Sequence, residues 1–553
     1  MLKLDTYPLR THYMKNGLWF TEDNIPVRKV FLTNIPEVLK DESIFKHFIS
    51  FGHVISVKIF DNTKRTSVPN RKFGFVLFAN ASAATKALET KIHHVEGHKI
   101  YVIVADSWHQ PDFYRASEPQ NAGGQSGEAY ILKLPDDCLS MILKLLPLAD
   151  QVHFYSVCKR FQSVYQLTTR SIHKSVDLQD LEDLTLWDIR EFFRISGPYV
   201  MDLNSSFYEY SKFGKRLFKY FGRNLNLNNL KSLDLSAVDL SIKNMVEIFS
   251  STSKLENLKL YHCNLTDEKL LTLKSLKSLK KLNLALNSPL SGLHMEKLPF
   301  LIENLNLEYC DRVQSSHLIK MCISLTQLKE LNIGGFYTDY AEVFQSMVKN
   351  GSCPLLERLG LSICGRYGDI AHLPKLKSIY IYGISENSHF TKVLEQLVLF
   401  KSEQLEELKI KLRFNETLKT TKQMLMQIGK FVGLKTLSLS NALNIDNDVL
   451  GAFTNLKELE HINLAFCKQI NDSNISLLVL GCPKLQKVNL EGCSQISKNL
   501  LDDIIWKMPI YYKNNERKLP IEIYLKSCRF LETPPAQDTV KIIWDQPKQL
   551  KQI

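Results

Sequence analysis

Three patterns of apolar and polar positions divide the chain. The first is alternation. In the stretch Arg71-Lys72-Phe73-Gly74-Phe75-Val76-Leu77-Phe78, an extended backbone would send side chains to opposite faces in turn. Phe73 and Phe75 then share a face with Arg71, while Lys72, Gly74, Val76 and Phe78 take the other. Large rings beside an arginine, on a face that water reaches, need a reason. Around this stretch the pattern predicts strands over residues 30–35, 54–60 and 98–104, and helices over 41–51 (with Asp41 as N-cap) and 81–89. Residues 61–70 read as a basic loop, and His93, His94 and His98 as an exposed loop rather than a metal site. The second pattern is helical. Leu139, Ile142, Leu143 and Leu146 recur at helical spacing, Pro147 ends that helix, and Asp150 caps the next, which carries Val152, Tyr155, Val157, Cys158 and Phe161. The third is a recurrence: an apolar-x-apolar triplet begins at Leu233, Leu258, Leu282, Leu305, Leu331, Leu359, Ile379, Leu408, Leu437, Ile462, Val488 and Ile523. Most steps are 23 to 29 residues, with one of 20 and one of 35, and Met201-Asp202-Leu203 is a candidate atypical first unit.

The first block has the order β-α-β-β-α-β, a ferredoxin-like split unit of four strands with two helices on one face. Its segments VFLTNI and RKFGFVLF resemble the RNP2 and RNP1 segments of an RNA-recognition motif (RRM). The resemblance implies that Phe31, Phe73 and Phe75 face away from the helices and stack on bases of single-stranded RNA. Arg71 would meet a phosphate, with Lys64, Arg65 and Lys72 adding charge near the loop. Lys72 stands where RNP1 usually has glycine, a departure that removes no ring. The other reading is the same fold used for protein contact.

The helical block is too short to bury all its apolar side chains alone, so a partner helix pair is a natural cover. Leu134-Pro135, Leu139, Ile142, Leu146-Pro147, Val157-Cys158 and Phe161 resemble an F-box, with Phe161 in place of the usual tryptophan. The resemblance implies docking to a Skp-type adaptor and, through it, to the cullin-RING ubiquitin ligase core. Leu134, Pro135, Leu139, Ile142, Leu146, Pro147, Val157 and Phe161 are the expected adaptor-binding residues. The alternative is an ordinary helical hairpin packed on the following domain.

The recurrence has the period of leucine-rich repeats, and its cysteines resemble those of the cysteine-containing subclass. Cys263, Cys310, Cys364, Cys467, Cys493 and Cys528 each lie three residues after the second apolar position, and Cys322, Cys353 and Cys482 come shortly before the next triplet. A cysteine repeated at one register is a small buried spacer, which argues against a catalytic thiol. Stacked strands predict an α/β solenoid (horseshoe) with a concave face. Tyr261, Tyr380, Tyr382, Lys409, Lys411, His461 and Tyr524 are expected to form its target-binding surface over a floor of asparagines; side chains that merely solvate an exposed sheet are the alternative.

Composition changes this picture little. The chain has 553 residues, 44% hydrophobic and 23% charged, enough for several domains. The net charge of +12 suits a nucleic-acid partner. The absence of a secretory h-region or a long apolar run points to the cytoplasm or nucleus and to no membrane. Eleven cysteines, an odd number, then speak against disulfides. No catalytic constellation, metal set or phosphate-binding loop stands out, so neither cofactor nor small-molecule substrate is expected. The expected organisation is multidomain, α/β and α: 27–108 an RRM, 109–128 a flexible linker, 129–170 a small helical F-box, 171–228 a connector with a capping repeat, 229–530 the repeat solenoid and 531–553 a tail. These resemblances imply a non-catalytic substrate-recognition subunit of an SCF-type ubiquitin ligase that holds an unknown protein target and RNA. The other reading is an RNA-binding scaffold or processing factor whose F-box only mediates protein contact.

Overall fold

The computed structural model describes residues 12–21, 25–60, 71–105, 110–111, 130–181, 184, 186–204, 226–335, 338–410, 421–442, 444–511, 517, 519–528 and 538–543. They form two compact units, Met1–Tyr165 with Asp183–Phe192, and Gln166–Glu182 with Phe193–Ile553.

In the first unit, strands β1 (His12–Lys15) and β2 (Leu18–Thr21) make a hairpin through Asn16 and Gly17, both at positive φ, the two-residue turn that favours Asn-Gly. The expected sheet follows as β3 (Lys29–Pro36), β4 (Val54–Phe60), β5 (Arg71–Phe78) and β7 (His98–Val104), with helices α1 (Asp41–Phe48) and α2 (Ala81–Leu88) between them. A fifth strand, β6 (Ile92–Val95), adds to the edge and gives the order β4-β5-β3-β7-β6. Asp41 is the first helical residue rather than the cap, which is Lys40; in the helical block Pro147 takes the cap position expected for Asp150.

Val30, Leu32, Ile35, Val76, Phe78 and Ile100 of the sheet pack with Ile44 and Phe48 of α1 and the alanines of α2. Trp19 of the hairpin packs against this core and donates its backbone N–H to Thr85 Oγ1 at 3.1 Å. His93 is not in an exposed loop. It is buried in β6, where its Nε2 lies 2.8 Å from the Ala87 carbonyl and its Nδ1 3.0 Å from Nε2 of His47. A carbonyl can only accept, so Nε2 carries the His93 proton and Nδ1 accepts from His47. Gln110, which falls in the expected linker, is buried as well. Its side chain accepts from the amides of Arg28 and Lys29 and donates to the carbonyls of Lys29 and Ala105, all within 2.9 Å.

Three helices follow: α3 (Asp136–Leu145), α4 (Leu148–Val157) and α5 (Lys159–Ile172). Phe161 stacks on Phe154 at 4.1 Å between ring centroids, 9° from parallel. Arg160 ties the entry segment down, pairing with Asp136 and donating to the carbonyls of Leu132 and Leu134.

The second unit is one parallel sheet of fifteen strands in sequence order. It runs β8 (Ser175–Asp177), β9 (Asp202–Asn204), β10 (Ser232–Asp234), β11 (Asn257–Lys259), β12 (Lys281–Asn283), β13 (Asn304–Asn306), β14 (Glu330–Asn332) and β15 (Arg358–Ile363). It continues through β16 (Ser378–Ile384), β17 (Glu407–Ile410), β18 (Thr436–Ser438), β19 (His461–Asn463), β20 (Lys487–Asn489), β21 (Ile521–Tyr524) and β22 (Val540–Ile543). The twelve triplets are β10 to β21 and the atypical first unit is β9. The sheet extends past both expected ends, by β8 and by β22.

Both apolar positions of each triplet are buried, and the cysteine register explains itself. The thiols of Cys263, Cys310, Cys467, Cys493 and Cys528 donate to backbone carbonyls of the preceding repeat, Leu235, Leu284, Leu439, Leu464 and Leu490, at 3.0–3.3 Å. Burial pushes the Cys263, Cys467 and Cys493 thiols up to about 12. Asn287 occupies the same register and does the work through an amide, donating to the Leu260 and Leu284 carbonyls and accepting from Cys263 and Leu265. One residue earlier, a left-handed backbone recurs in nine repeats, at Ala237, His262, Leu286, Tyr309, Gly335, Asn441, Phe466, Gly492 and Ser527.

Candidate nucleic-acid interface and docking surfaces

Cross-strand pairing fixes which side chains share the helix-free face of the first sheet. Phe31 pairs with Phe75 and with Ile103, Lys58 with Phe75, and Phe60 with Phe73. Ring centroids of Phe31 lie 5.0 Å from Phe75 and 5.9 Å from Phe73. Phe60, absent from the sequence expectation, is a fourth ring on this face. It lies 5.5 Å from Phe73, nearly parallel at 21°, and 6.2 Å edge-on from Phe75. Lys29 Nζ sits 4.8 Å over the Phe75 ring, a cation–π distance. Burial, and then the neighbouring charge of Lys58, lowers the pKa of Lys29. Neither lysine has an ion pair among the described residues. Beyond β3 the face continues with Ile103, Tyr101 and Ile92, all exposed.

Two local devices hold this geometry. Thr33 and Asn34 together oppose Phe73, a bulge in which Asn34 takes φ 64° and donates to the Lys99 carbonyl at 2.9 Å. Gly74 faces the core, and a Cβ there would stand 2.6 Å from the Lys58 carbonyl oxygen. Lys72 pairs with the buried Ile35 and so emerges on the side away from the rings, the face that the alternation gives it. Lys64, Arg65 and the side chain of Arg71 lie outside the described residues.

In the helical block, the expected adaptor residues separate by exposure. Leu139 is 0% and Phe161 4% exposed, so both hold the helices together and neither presents a surface. Leu134, Ile142 and Leu146 are half-buried, and Pro135 and Pro147 exposed. Val157 is 65% exposed, and with it stand two residues absent from the expectation, Met141 at 58% and Leu145 at 85%. Met141 and Leu145 are four apart on α3 and share a stripe.

On the open face of the long sheet, Lys409, His461 and Tyr524 line one cavity of about 430 Å³ with Glu407, Phe466 and Lys487. Tyr524 is nonetheless buried, contrary to the expectation of a free contact residue; its hydroxyl lies 3.3 Å from Glu522. Lys409 bridges Glu407 and lies 5.0 Å over the ring of Tyr380, which donates to the same carboxylate at 2.7 Å. Burial alone would raise the Glu407 pKa, but hydrogen bonds from Lys409, Ser378 and Tyr380 outweigh it and hold the carboxyl below its ordinary range.

Tyr382 is not free either. Its hydroxyl accepts from Asn332 at 2.8 Å, and its ring lies where a Cβ on Gly334 would be and 3.1 Å from where one on Gly360 would be. Tyr261 lies on a different repeat from the cavity, and Lys411 is outside the described residues. The asparagines are more than a polar floor. Asn283, Asn306, Asn332, Asn463 and Asn489 each accept from the backbone N–H two residues on, closing an Asx turn at the strand end.

A family model of the RNA recognition motif matches residues 30–101, and one of the F-box domain matches residues 131–164. RNA-binding protein 34 of Mus musculus is 36% identical over 76 residues, 14% of this chain. The chain spans only 17% of the length of that curated relative. Among solved structures, an internalin from Listeria monocytogenes is similar at 16% identity, over 71% of this chain and 98% of its own, with a TM-score of 0.38. The RRM3 domain of Mip6 is similar at 20% identity, over 14% of this chain and 94% of its own, with a TM-score of 0.13. The chain therefore carries an RNA recognition motif and an F-box domain, followed by a long parallel sheet of leucine-rich-repeat type. No described helix is long and apolar enough to cross a membrane.

Proposed function

We propose that this chain is a substrate-recognition subunit of an SCF-type ubiquitin ligase, acting in the cytoplasm or nucleus. The observation that carries the reading is the exposed apolar set Met141, Leu145 and Val157 within the matched F-box segment. Such side chains on a small helical domain call for a partner surface, and a Skp-type adaptor with its cullin-RING core supplies it. The repeat sheet holds a protein target on its open face, where Lys409, His461 and Lys487 line the cavity. The RRM holds single-stranded RNA on Phe31, Phe73 and Phe75. The three domain classes are non-catalytic, so the chain contributes proximity: it raises the local concentration of target near a charged ubiquitin carrier.

The test is crosslinked pull-down of the full chain at native expression, with protein and RNA partners read together. Recovery of a Skp-type adaptor and cullin supports the ligase reading, and their absence overturns it. Recovery of RNA that depends on the three rings supports the RNA reading; equal recovery with all three changed to alanine overturns that part alone.

A further inference from the structure

The four rings of the first sheet are not equivalent. Phe60 and Phe73 lie nearly face to face, 5.5 Å apart and 21° from parallel, so Phe60 covers one face of Phe73. Phe31 and Phe75 are tilted to each other by 46° and Phe31 and Phe73 by 52°, so no ring there lies flat on another. Phe60 itself keeps 43% of its surface in contact with solvent and sits at the end of edge strand β4. A base arriving at that edge meets Phe60 before it meets Phe73. Lys58, two residues before Phe60 on the same face, and Lys29 beside Phe75 flank the rings with positive charge.

We infer that Phe60 is a base-stacking residue in its own right, so that single-stranded RNA runs off the sheet over the β4 edge and occupies one nucleotide position more than Phe31, Phe73 and Phe75 provide. The inference rests on the RNA-binding reading above and deepens it. Its physical basis is that any exposed aromatic face accepts any base, whereas phosphates either side of it need cations within reach.

The decisive variant is Phe60→Leu in the full chain. It keeps an apolar contact for Phe73 and removes the π face. The probe is a series of fluorescein-labelled oligouridylates from trimer to octamer, read by anisotropy, with circular dichroism as a check on the fold. Wild-type affinity is expected to rise with length until the Phe60 position is filled. Phe60→Leu is expected to bind the longest probe about 5- to 150-fold more weakly, one stacked base by alanine-scan scale, and to reach its plateau one nucleotide earlier. Phe60→Trp, with a larger face, is expected to bind as tightly as wild type or tighter.

If Phe60→Leu matches wild type while Phe31→Ala and Phe75→Ala lose binding, Phe60 is packing for Phe73 only and the inference is overturned with the RNA reading intact. If wild type binds none of the probes, the RNA reading falls first, and protein contact is left as the use of this face.

Discussion

Two leucines six residues apart on one helix carry opposite expectations. Leu139 of α3 is fully buried, and Leu145 is 85% exposed. Truncating Leu139 to alanine removes apolar atoms from a small core and leaves a cavity, which costs about 2–5 kcal/mol of stability. For a block of three helices this is a large part of what holds it folded. Truncating Leu145 costs the free chain almost nothing, because water already covers it. If an adaptor covers Leu145, full burial of a leucine contributes about 1.5–3 kcal/mol; scaled to the exposed fraction this is roughly 1–2.5 kcal/mol, or about 5- to 70-fold in affinity.

The assay is isothermal titration of the full chain with a purified Skp-type adaptor, paired with thermal unfolding of each variant alone. Leu145→Ala should weaken binding by that factor with an unchanged melting profile. Leu139→Ala should lower the melting transition, and any loss of binding should follow the loss of fold. Unimpaired binding by Leu145→Ala, or a folded Leu139→Ala that no longer binds, would refute the assignment of the two faces.

Changing Phe31, Phe73 and Phe75 together to alanine should reduce binding of oligouridylate by at least tenfold in anisotropy, since each stacked base is worth about 1–3 kcal/mol; equal binding would sink the stacking model. His173, hydrogen-bonded to Thr169 and Ser196 where the long sheet begins, has its pKa lowered by burial to about 4. A lowered base is stabilising when neutral, so this end of the sheet should be fully stable above pH 6.5 and lose up to about 3 kcal/mol as pH falls toward 4. Amide exchange at the two pH values should show the loss, and His173→Gln should flatten it. The Cys263, Cys467 and Cys493 thiols, held near 12 by burial, should be alkylated by iodoacetamide at pH 8 only after denaturation, because the thiolate fraction there is about one in ten thousand. Fast labelling of the native chain would show that these repeats are open. Gly492→Ala should lower the melting temperature, since φ is 71° and a Cβ would stand 2.4 Å from the Phe466 ring; an unchanged transition would mean the ring moves freely.

Much of this architecture was legible because its patterns are local. Alternation in RKFGFVLF separates Phe73 and Phe75 from Val76 and Phe78, and the structure keeps that division. The triplet spacing marks twelve strands because each repeat buries the same two positions. What escaped depended on partners elsewhere in the chain. Phe60 joins the rings through the register of β4 on β5, and a connection of ten residues, 61–70, does not set a register as a tight turn would. Leu145 and Leu139 look alike in a helix with apolar residues on more than one side, and only packing says which side is the core. At β8 the triplet is present as Val176-Asp177-Leu178, with valine in the leucine position and Val176 paired with Leu203, and at β22 Ile542 pairs with Ile523 at a spacing shorter than the repeat. The Asn16-Gly17 turn did carry a local signal, a two-residue hairpin loop flanked by His12–Lys15 and Leu18–Thr21.

The left-handed position that returns in nine repeats is occupied by alanine, histidine, leucine, tyrosine, glycine, asparagine, phenylalanine, glycine and serine. The backbone there is set by the stacking of neighbours: the amide of Ala237 reaches the carbonyl of Tyr261, that of Leu286 the carbonyl of Glu308, and that of Phe466 the carbonyl of Glu491. The stacking imposes the turn on any occupant, at a strain that glycine escapes, so the frame is constant while the occupant varies. Such a position is a row of slots in which side chains can be exchanged on a fixed backbone. Its grammar is already visible: where a slot holds a phenylalanine or tyrosine ring, at Tyr309 and Phe466, the slot of the next repeat holds glycine, Gly335 and Gly492, to make room for it.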